Sequence, residues 1–286
     1  MRYSIITINF NNKEGLRKTI ESVIHQTFRD FEYIIIDGGS TDGSKELIEE
    51  YSNNIDYWVS EKDNGIYNAM NKGIKVSHGE YLIFMNSGDC FYNTQILERT
   101  LPYLHDEIVQ GKMYDYSRQV PFYTPSKTPT MYYFYTGSLQ HQACFFKREL
   151  FKDSRYDEHY KIVSDWKFFI EKIIFQNCTF SLVPFNIALY EGNGISATQT
   201  ETDAEERREV LTQILPPRII ADYERFKGKE SPVLDLIPLF NRTYRLEKTI
   251  VIVIKIILHL YHLALPMRKL LSTLKPKTSH IERHDI

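Results

Sequence analysis

The chain has 286 residues, 42% apolar and 25% charged, with a formal net charge of −2. That composition supports a large buried core and excludes both disorder and a small disulfide scaffold. The near-neutral charge lacks the strongly basic face that nucleic acid demands, so no nucleic-acid partner is expected. Cys90, Cys144 and Cys178 are odd in number and widely spaced. They form neither a zinc pattern nor a disulfide framework, and point to a reducing, cytoplasmic compartment. The opening MRYSIITINF has no charged leader or long apolar core, so no secretory signal is expected.

Short β-branched runs alternate with helical patterns through the first hundred residues, the signature of an α/β fold with a mostly parallel sheet flanked by helices. Strands are expected at 3–9, 33–37, 57–60 and 81–85. Leu16, Ile20, Val23 and Ile24 give residues 15–26 a helical spacing. Thr41 or Asp42 can cap a second helix through Tyr51, and Asn64 a third reaching Val76. The sequence then predicts a helix to about residue 104, a strand at 108–111 and irregular or hairpin structure over the aromatic stretch 114–135. Strands at 143–147 and 180–188 flank a helix at 164–175, and a Gly-rich loop leads into a charged helix before residue 215. At Pro216 and Pro217 the character changes, dividing a domain over 1–215 from a helical C-terminal extension over 216–286.

In open α/β sheets ligands bind beyond the carboxyl ends of the strands. Asp37 ends the second expected strand and opens DGGSTDGS; NSGD, ending in Asp89, follows the fourth. A carboxylate at Asp37 can accept hydrogen bonds from a base N–H or ribose hydroxyls, and one at Asp89 suits a hard divalent cation bridging to phosphate oxygens. Asp165 opens SDWKFF after Ser164, a candidate cap. It reads either as a general base facing a pocket or as a first-turn carboxylate favoured by the helix dipole. Other residues carry paired readings too. Asp42 touches ribose or caps a helix. His141 and Gln142 line a sugar or acceptor site or make ordinary loop hydrogen bonds. Trp166 stacks on a sugar or anchors the core, and Glu201 to Glu209 form a solvated face or a lid.

Five ordered blocks, DGGSTDGS, EKDNGIYNAMNKGI, FMNSGD, HQACFF and SDWKFF, resemble family 2 glycosyltransferases of the GT-A fold. The similarity extends over roughly residues 3–200, and bacterial enzymes of surface-polysaccharide synthesis, including the colanic-acid type, are the ones resembled. The resemblance implies that Thr7 and Asp37 contact the nucleotide base and that Asp63 and Asn68 line its pocket. Asp89 would hold a divalent metal (Mn or Mg) with the diphosphate, and Asp165 would be the catalytic base. The implied reaction is inverting transfer from a nucleotide-diphosphate sugar, UDP-linked, to a hydroxyl of a lipid-linked or surface glycan. Two departures stand out. Asn86 and Gly88 replace carboxylates usual in the acidic motif, which weakens the metal site, and Ser164 stands where relatives often carry an acid. Two other readings remain open. A sugar nucleotidyltransferase would show a Gly-rich basic loop after its first strand, where NFNNKEG offers one Lys and one Gly. A non-catalytic nucleotide- or sugar-binding module would carry the same carboxylates without turnover.

Residues 249–265, TIVIVIKIILHLYHLAL, are almost wholly apolar but only just long enough to cross a bilayer, for which about 17–25 residues are needed. Lys255, His259 and His262 form one narrow polar stripe on a helix. Arg242, Arg245, Lys248, Arg268, Lys269, Lys275 and Lys277 flank it. The expectation is a helix lying in the interface of an anionic cytoplasmic membrane face or docking on the catalytic domain.

Overall fold

The computed structural model describes residues 1–122, 124–125, 128–190 and 199–227, with 253, 255–257 and 259 beyond them. β1 (Tyr3–Asn9) is buried at every residue, as its β-branched run requires of a strand covered on both faces. Asn12 caps α1 (Lys13–Ile24) by accepting from the Gly15 N–H at 3.1 Å, and Leu16, Ile20 and Val23 turn one helix face onto the sheet. The alternation continues through β2 (Phe31–Asp37), α2 (Ser44–Glu50), β3 (Tyr57–Ser60), α3 (Ile66–Val76) and β4 (Tyr81–Phe84). Then follow β5 (Cys90–Phe91), α4 (Ile96–Thr100), β6 (Ile108–Asp115), β7 (Val120–Pro121), α5 (Met131–Thr136) and β8 (Cys144–Lys147). The last elements are α6 (Ser164–Phe169), β9 (Phe180–Tyr190), α7 (Thr200–Ile214) and α8 (Pro217–Phe226).

The sheet runs β3-β2-β1-β4-β8-β6-β9-β5, with β7 paired to β6. The expected parallel arrangement holds among β1 to β4, and the pairing turns mixed beyond β4, where β8 is antiparallel to both β4 and β6. Register sets Asn9 opposite Asp37 and Asp37 opposite Ser60, so polar residues fall in a row where the parallel strands end. Alternation divides the core between the two faces. Ile6, Ile34, Leu82 and Phe84 face α3 and α6, whereas Tyr3, Ile5, Tyr33, Ile35 and Ile83 face α1 and α2.

Several local expectations need correction. Asn64 does not cap α3: Gly65 holds that position, and the Asn64 N–H donates to Asn68 Oδ1 at 3.3 Å. Ser164 lies inside the first turn of α6 rather than capping it, because its hydroxyl accepts from the Asp157 N–H at 2.5 Å. The predicted helix over 164–175 changes winding after Phe169, where Ile170–Phe175 form a π-helix. The aromatic stretch forms the β6–β7 hairpin as expected, but also the helix α5, which was not expected and whose Met131 and Phe134 are buried.

One compact unit comprises Met1–Arg225 and another Phe226–Ile286. The first runs past Leu215 because Ile220 and Tyr223 of α8 pack on the core behind α6. Most of the predicted 249–265 helix lies outside the described residues; Val253, 255–257 and His259 are helical. Among the described residues no helix is long and apolar enough to cross a membrane.

Candidate active site

Asp37 is wholly buried at the end of β2. Its Oδ1 accepts from Asn9 Nδ2 at 2.7 Å and the Ser40 hydroxyl at 2.6 Å, and its Oδ2 from the Ser40 N–H at 2.9 Å and the Ser60 hydroxyl at 2.6 Å. Burial pushes this carboxyl up, but the hydrogen bonds from Ser40, Ser60 and Asn9 outweigh it and hold the group below its ordinary value. Four donors fill the lone-pair sites of a carboxylate. In this arrangement Asp37 shapes the loop after β2 and offers no open acceptor to a base. Thr7 departs further from its implied role. It is wholly buried, donating to the Met85 carbonyl at 2.8 Å with the Tyr33 hydroxyl at 3.1 Å, because strand alternation turns it into the core two residues before β1 ends.

Beyond the strand ends stand the side chains that follow them. Phe10, just after β1, is 65% exposed. Phe10 and Asp63 both crowd Gly38: a Cβ there would sit 3.2 Å from the phenyl edge and 2.6 Å from Asp63 Oδ2. Gly39, at φ +80°, lies as tightly against the backbone of Lys62. The loops after β2 and β3 meet because these two positions carry no side chain. Asp63 also accepts from the Gly65 N–H at 2.9 Å. Asn68 is engaged at both ends of its amide, donating to Glu158 at 2.8 Å. Asp42 accepts from Ser44 and from the Lys13 N–H, fastening the starts of α1 and α2 together. Phe10 escaped the sequence reading; its signal is a large aromatic placed immediately beyond an apolar strand.

The turn after β4 closes with the Asp89 N–H on the Asn86 carbonyl at 2.8 Å and Gly88 at φ +102°. Thr19 of α1 grips it. Its hydroxyl donates toward the Asp89 carbonyl at 2.7 Å and accepts from the Gly88 N–H at 3.0 Å. Asp89 is held buried by this turn. Among the described residues no three His, Cys, Asp or Glu side chains gather as a metal-binding group. One hard carboxylate in this turn would fit a cation that takes its other oxygens from a ligand and water.

Asp165 opens α6 with both carboxylate oxygens engaged. Oδ2 accepts from His141 Nδ1 at 2.8 Å and Oδ1 from the Tyr67 hydroxyl at 2.7 Å. Burial would raise this carboxyl, yet the hydrogen bonds from His141 and Tyr67 hold it below its ordinary value. Tyr67 is driven the opposite way, well above the usual phenol range, by burial and by the negative charge of Asp165. The pair is thus a carboxylate and a protonated phenol at neutral pH. The other ring nitrogen of His141 lies 3.1 Å from Asn86 Nδ2, so hydrogen bonds join the acidic turn to α6. Gln142 is half-buried, and its side chain makes no hydrogen bond among the described residues.

Trp166 resolves against the sugar-stacking reading. One residue along a helix rotates the side chain by about 100°, which turns Trp166 inward to 1% exposure. Its Nε1 donates to the Phe134 carbonyl at 2.9 Å and the Gly137 carbonyl at 3.1 Å, and the Arg207 guanidinium sits 4.6 Å from its ring. Behind α6, Phe168 stacks on Phe151 at 4.6 Å. In front, Glu206 of α7 accepts from the Lys161, Ile162 and Val163 N–H groups at 2.8, 2.9 and 3.3 Å. The charged helix is therefore a clamp on the turn before α6 at this residue, neither a bare solvated face nor a lid.

Residues 4–161, more than half of the chain, match the Glycosyl transferase family 2 profile. The chain belongs to glycosyltransferase family 2. As a family 2 glycosyltransferase it is an enzyme, which sets aside the nucleotidyltransferase and non-catalytic readings. A PGL/p-HBAD biosynthesis glycosyltransferase of Mycobacterium bovis is 28% identical over 174 residues, 58% of this chain and 67% of that one. The cholesterol galactosyltransferase of Borreliella burgdorferi is 31% identical over 140 residues, 48% of this chain and 39% of that one. Among solved structures, S. aureus TarS 1–349 in complex with UDP-GlcNAc aligns with a TM-score of 0.61 at 18% identity, covering 82% of this chain and 75% of that one. The mannosyltransferase PcManGT of Pyrobaculum calidifontis, in complex with GDP-Man and Mn2+, aligns at 0.60 and 14% identity, covering 79% and 69%. At these identities the likeness is one of fold, and the fold is GT-A.

Proposed function

We propose that this family 2 glycosyltransferase moves a sugar from a UDP-linked donor to a hydroxyl of a lipid-linked or surface glycan, inverting the anomeric carbon. The observation that carries the reading is Asp165, an ionised carboxylate held by His141 and Tyr67 and linked through Asn86 to the turn that bears Asp89. The acceptor oxygen attacks the anomeric carbon from the face opposite the nucleotide while its proton passes to Asp165. The bond from that carbon to the UDP oxygen breaks, and its electron pair leaves with the diphosphate. Asp89 would hold a divalent cation, which when bound neutralises the charge growing on the leaving group. Phe10 offers the nucleotide base a flat face, Asp63 and Asn68 border its pocket, and Asp37 serves it through the loop it organises. His141 and Gln142 would border the sugar or acceptor. The UDP-GlcNAc complex of TarS supports a UDP-linked donor, and the names of the mycobacterial and Borreliella relatives support a lipid-borne acceptor.

Incubating the full chain with labelled nucleotide sugars and Mn2+ or Mg2+ tests the reading through release of the nucleoside diphosphate. Asp165→Asn is expected to lower kcat on the order of 10²–10⁴-fold, the usual contribution of a general base, with donor KM little changed. Near-normal turnover in that variant with donor binding intact would remove Asp165 from the role.

A further inference from the structure

We infer that His141 is the positioning residue of the Asp165 base, and that Asn86 fixes the imidazole in the one tautomer that can serve it. The inference rests on the reading of Asp165 as base and adds to it how that carboxylate is oriented.

A carboxylate only accepts hydrogen bonds, so His141 Nδ1, 2.8 Å from Asp165 Oδ2, must carry a hydrogen. The side chains of the pair are only 15% and 14% exposed, which leaves water little access to substitute for either partner. If the ring is neutral, Nε2 is then a bare acceptor and needs a donor. Asn86 supplies it: its Nδ2 lies 3.1 Å from Nε2. The amide oxygen of the same residue is buried and has no partner among the described residues, which leaves the contact with the ring as the one hydrogen bond of this side chain there. An aspartate at position 86 could only accept, and would call for a second proton on the imidazole. The asparagine in this turn, a departure that weakens the motif for metal binding, acquires a different use: its amide faces Nε2 and leaves the Nδ1–H directed at Asp165.

The remaining groups that face Asp165 keep their protons. Tyr67 of α3, Tyr156 in the segment before α6 and Cys144 of β8 are all raised by burial and by the charge of Asp165. They supply no positive charge to steady the carboxylate. His141 also restrains it geometrically. Tyr67 reaches only Oδ1 and is shared with the Ile162 carbonyl, so without the imidazole Oδ2 has no side-chain donor among the described residues and the carboxylate is less firmly oriented.

The test uses the full chain labelled with 15N-histidine, with the His141 signals assigned by their loss in His141→Gln. At pH 7.5 the expected spectrum has a protonated Nδ1 and an unprotonated Nε2; in Asn86→Asp the ring becomes doubly protonated. His141→Leu is expected to lower kcat on the order of 10²-fold, leave donor KM within about twofold, and move the acidic limb of the kcat profile to higher pH. His141→Gln, whose amide can still donate to Asp165, recovers part of the rate and of the shift. A wild-type spectrum with hydrogen on Nε2 and none on Nδ1 overturns the inference, as does a His141→Leu enzyme whose acidic limb stays in place. Failure of the wild type to turn over any nucleotide sugar would instead defeat the proposed reaction. The tautomer and its response to Asn86→Asp are read without turnover, and decide the His141 assignment even where a variant folds poorly.

Discussion

Asp165 and Trp166 are sequence neighbours with opposite surroundings. The carboxylate meets His141 and Tyr67, whereas the indole is sealed beneath two carbonyls and a guanidinium. Trp166→Phe keeps most of the buried ring but leaves the Phe134 and Gly137 carbonyls without the Nε1 donor. The expected result is a loss of about 1–3 kcal/mol in denaturant unfolding with donor KM unchanged. Weaker sugar binding at an unchanged unfolding midpoint would restore the stacking role. Asp37 calls for a paired measurement as well. Asp37→Asn turns an NH2 group toward donors from Ser40 or Ser60, so both the unfolding midpoint and donor affinity are expected to fall together through the loop. Were UDP binding to weaken tenfold with no change in midpoint, direct contact with the base would be the better account. These residues also mark what a sequence can disclose. The place of Asp165 at the start of a helix was readable, because SDWKFF closes a long ordered pattern of blocks. The facing of Thr7 was not, because in a strand one position decides between core and crevice.

At the level of elements, the parallel strands and helices of the first hundred residues follow from local periodicity, and they formed close to where that periodicity put them. The later sheet could not be read in this way. β4 pairs with β8 and β6 with β9 across long sequence separations, and a strand's partner is not written in its own pattern. The Glu206 clamp was hidden for the same reason: a glutamate on a charged helix looks solvated until its helix docks. Glu206→Gln would point an amide N–H toward one or more of the three backbone donors at 161–163. A loss of about 1.5–3 kcal/mol, the range for hydrogen bonds to a charged group, is expected by thermal or denaturant unfolding. A fall in kcat should accompany it, because the Ile162 carbonyl in that turn also holds Tyr67. An unchanged kcat in the folded variant would disconnect α7 from the base. At the other end of β2, Glu32 accepts from Ser4, from the His78 N–H and from the Gly79 N–H. Burial raises its carboxyl, but these bonds hold it below its ordinary 4.5. A lowered folded-state value means the stabilisation is complete above pH 4.5 and is lost as pH falls through the folded-state value. Thermal midpoints should be level through neutral pH down to about 5 and drop below it, with Glu32→Gln flattening that drop.

For the whole molecule, the contrast lies between a compact unit ending at Arg225 and a tail whose sequence has another character. The chain carries a net charge of −2, but the charged residues flanking 249–265 are mostly basic. A nearly apolar segment with basic flanks fits a membrane interface rich in anionic lipid better than open solvent, since each Lys or Arg near such a surface contributes about 1 kcal/mol. We propose that the tail holds the enzyme at the cytoplasmic membrane face, where a lipid-linked acceptor would be met. Truncation after Phe240 is then expected to release the protein from vesicles containing phosphatidylglycerol while leaving hydrolysis of a soluble donor unchanged. Binding of the intact chain should weaken as salt rises, because the basic flanks act over a Debye length of only about 8–10 Å near physiological ionic strength. Removing the apolar segment should abolish the salt-resistant remainder. If the truncated enzyme still sedimented with vesicles, the contact would lie in the catalytic unit. If the intact chain bound neutral and anionic vesicles equally, the basic flanks would have no part in it.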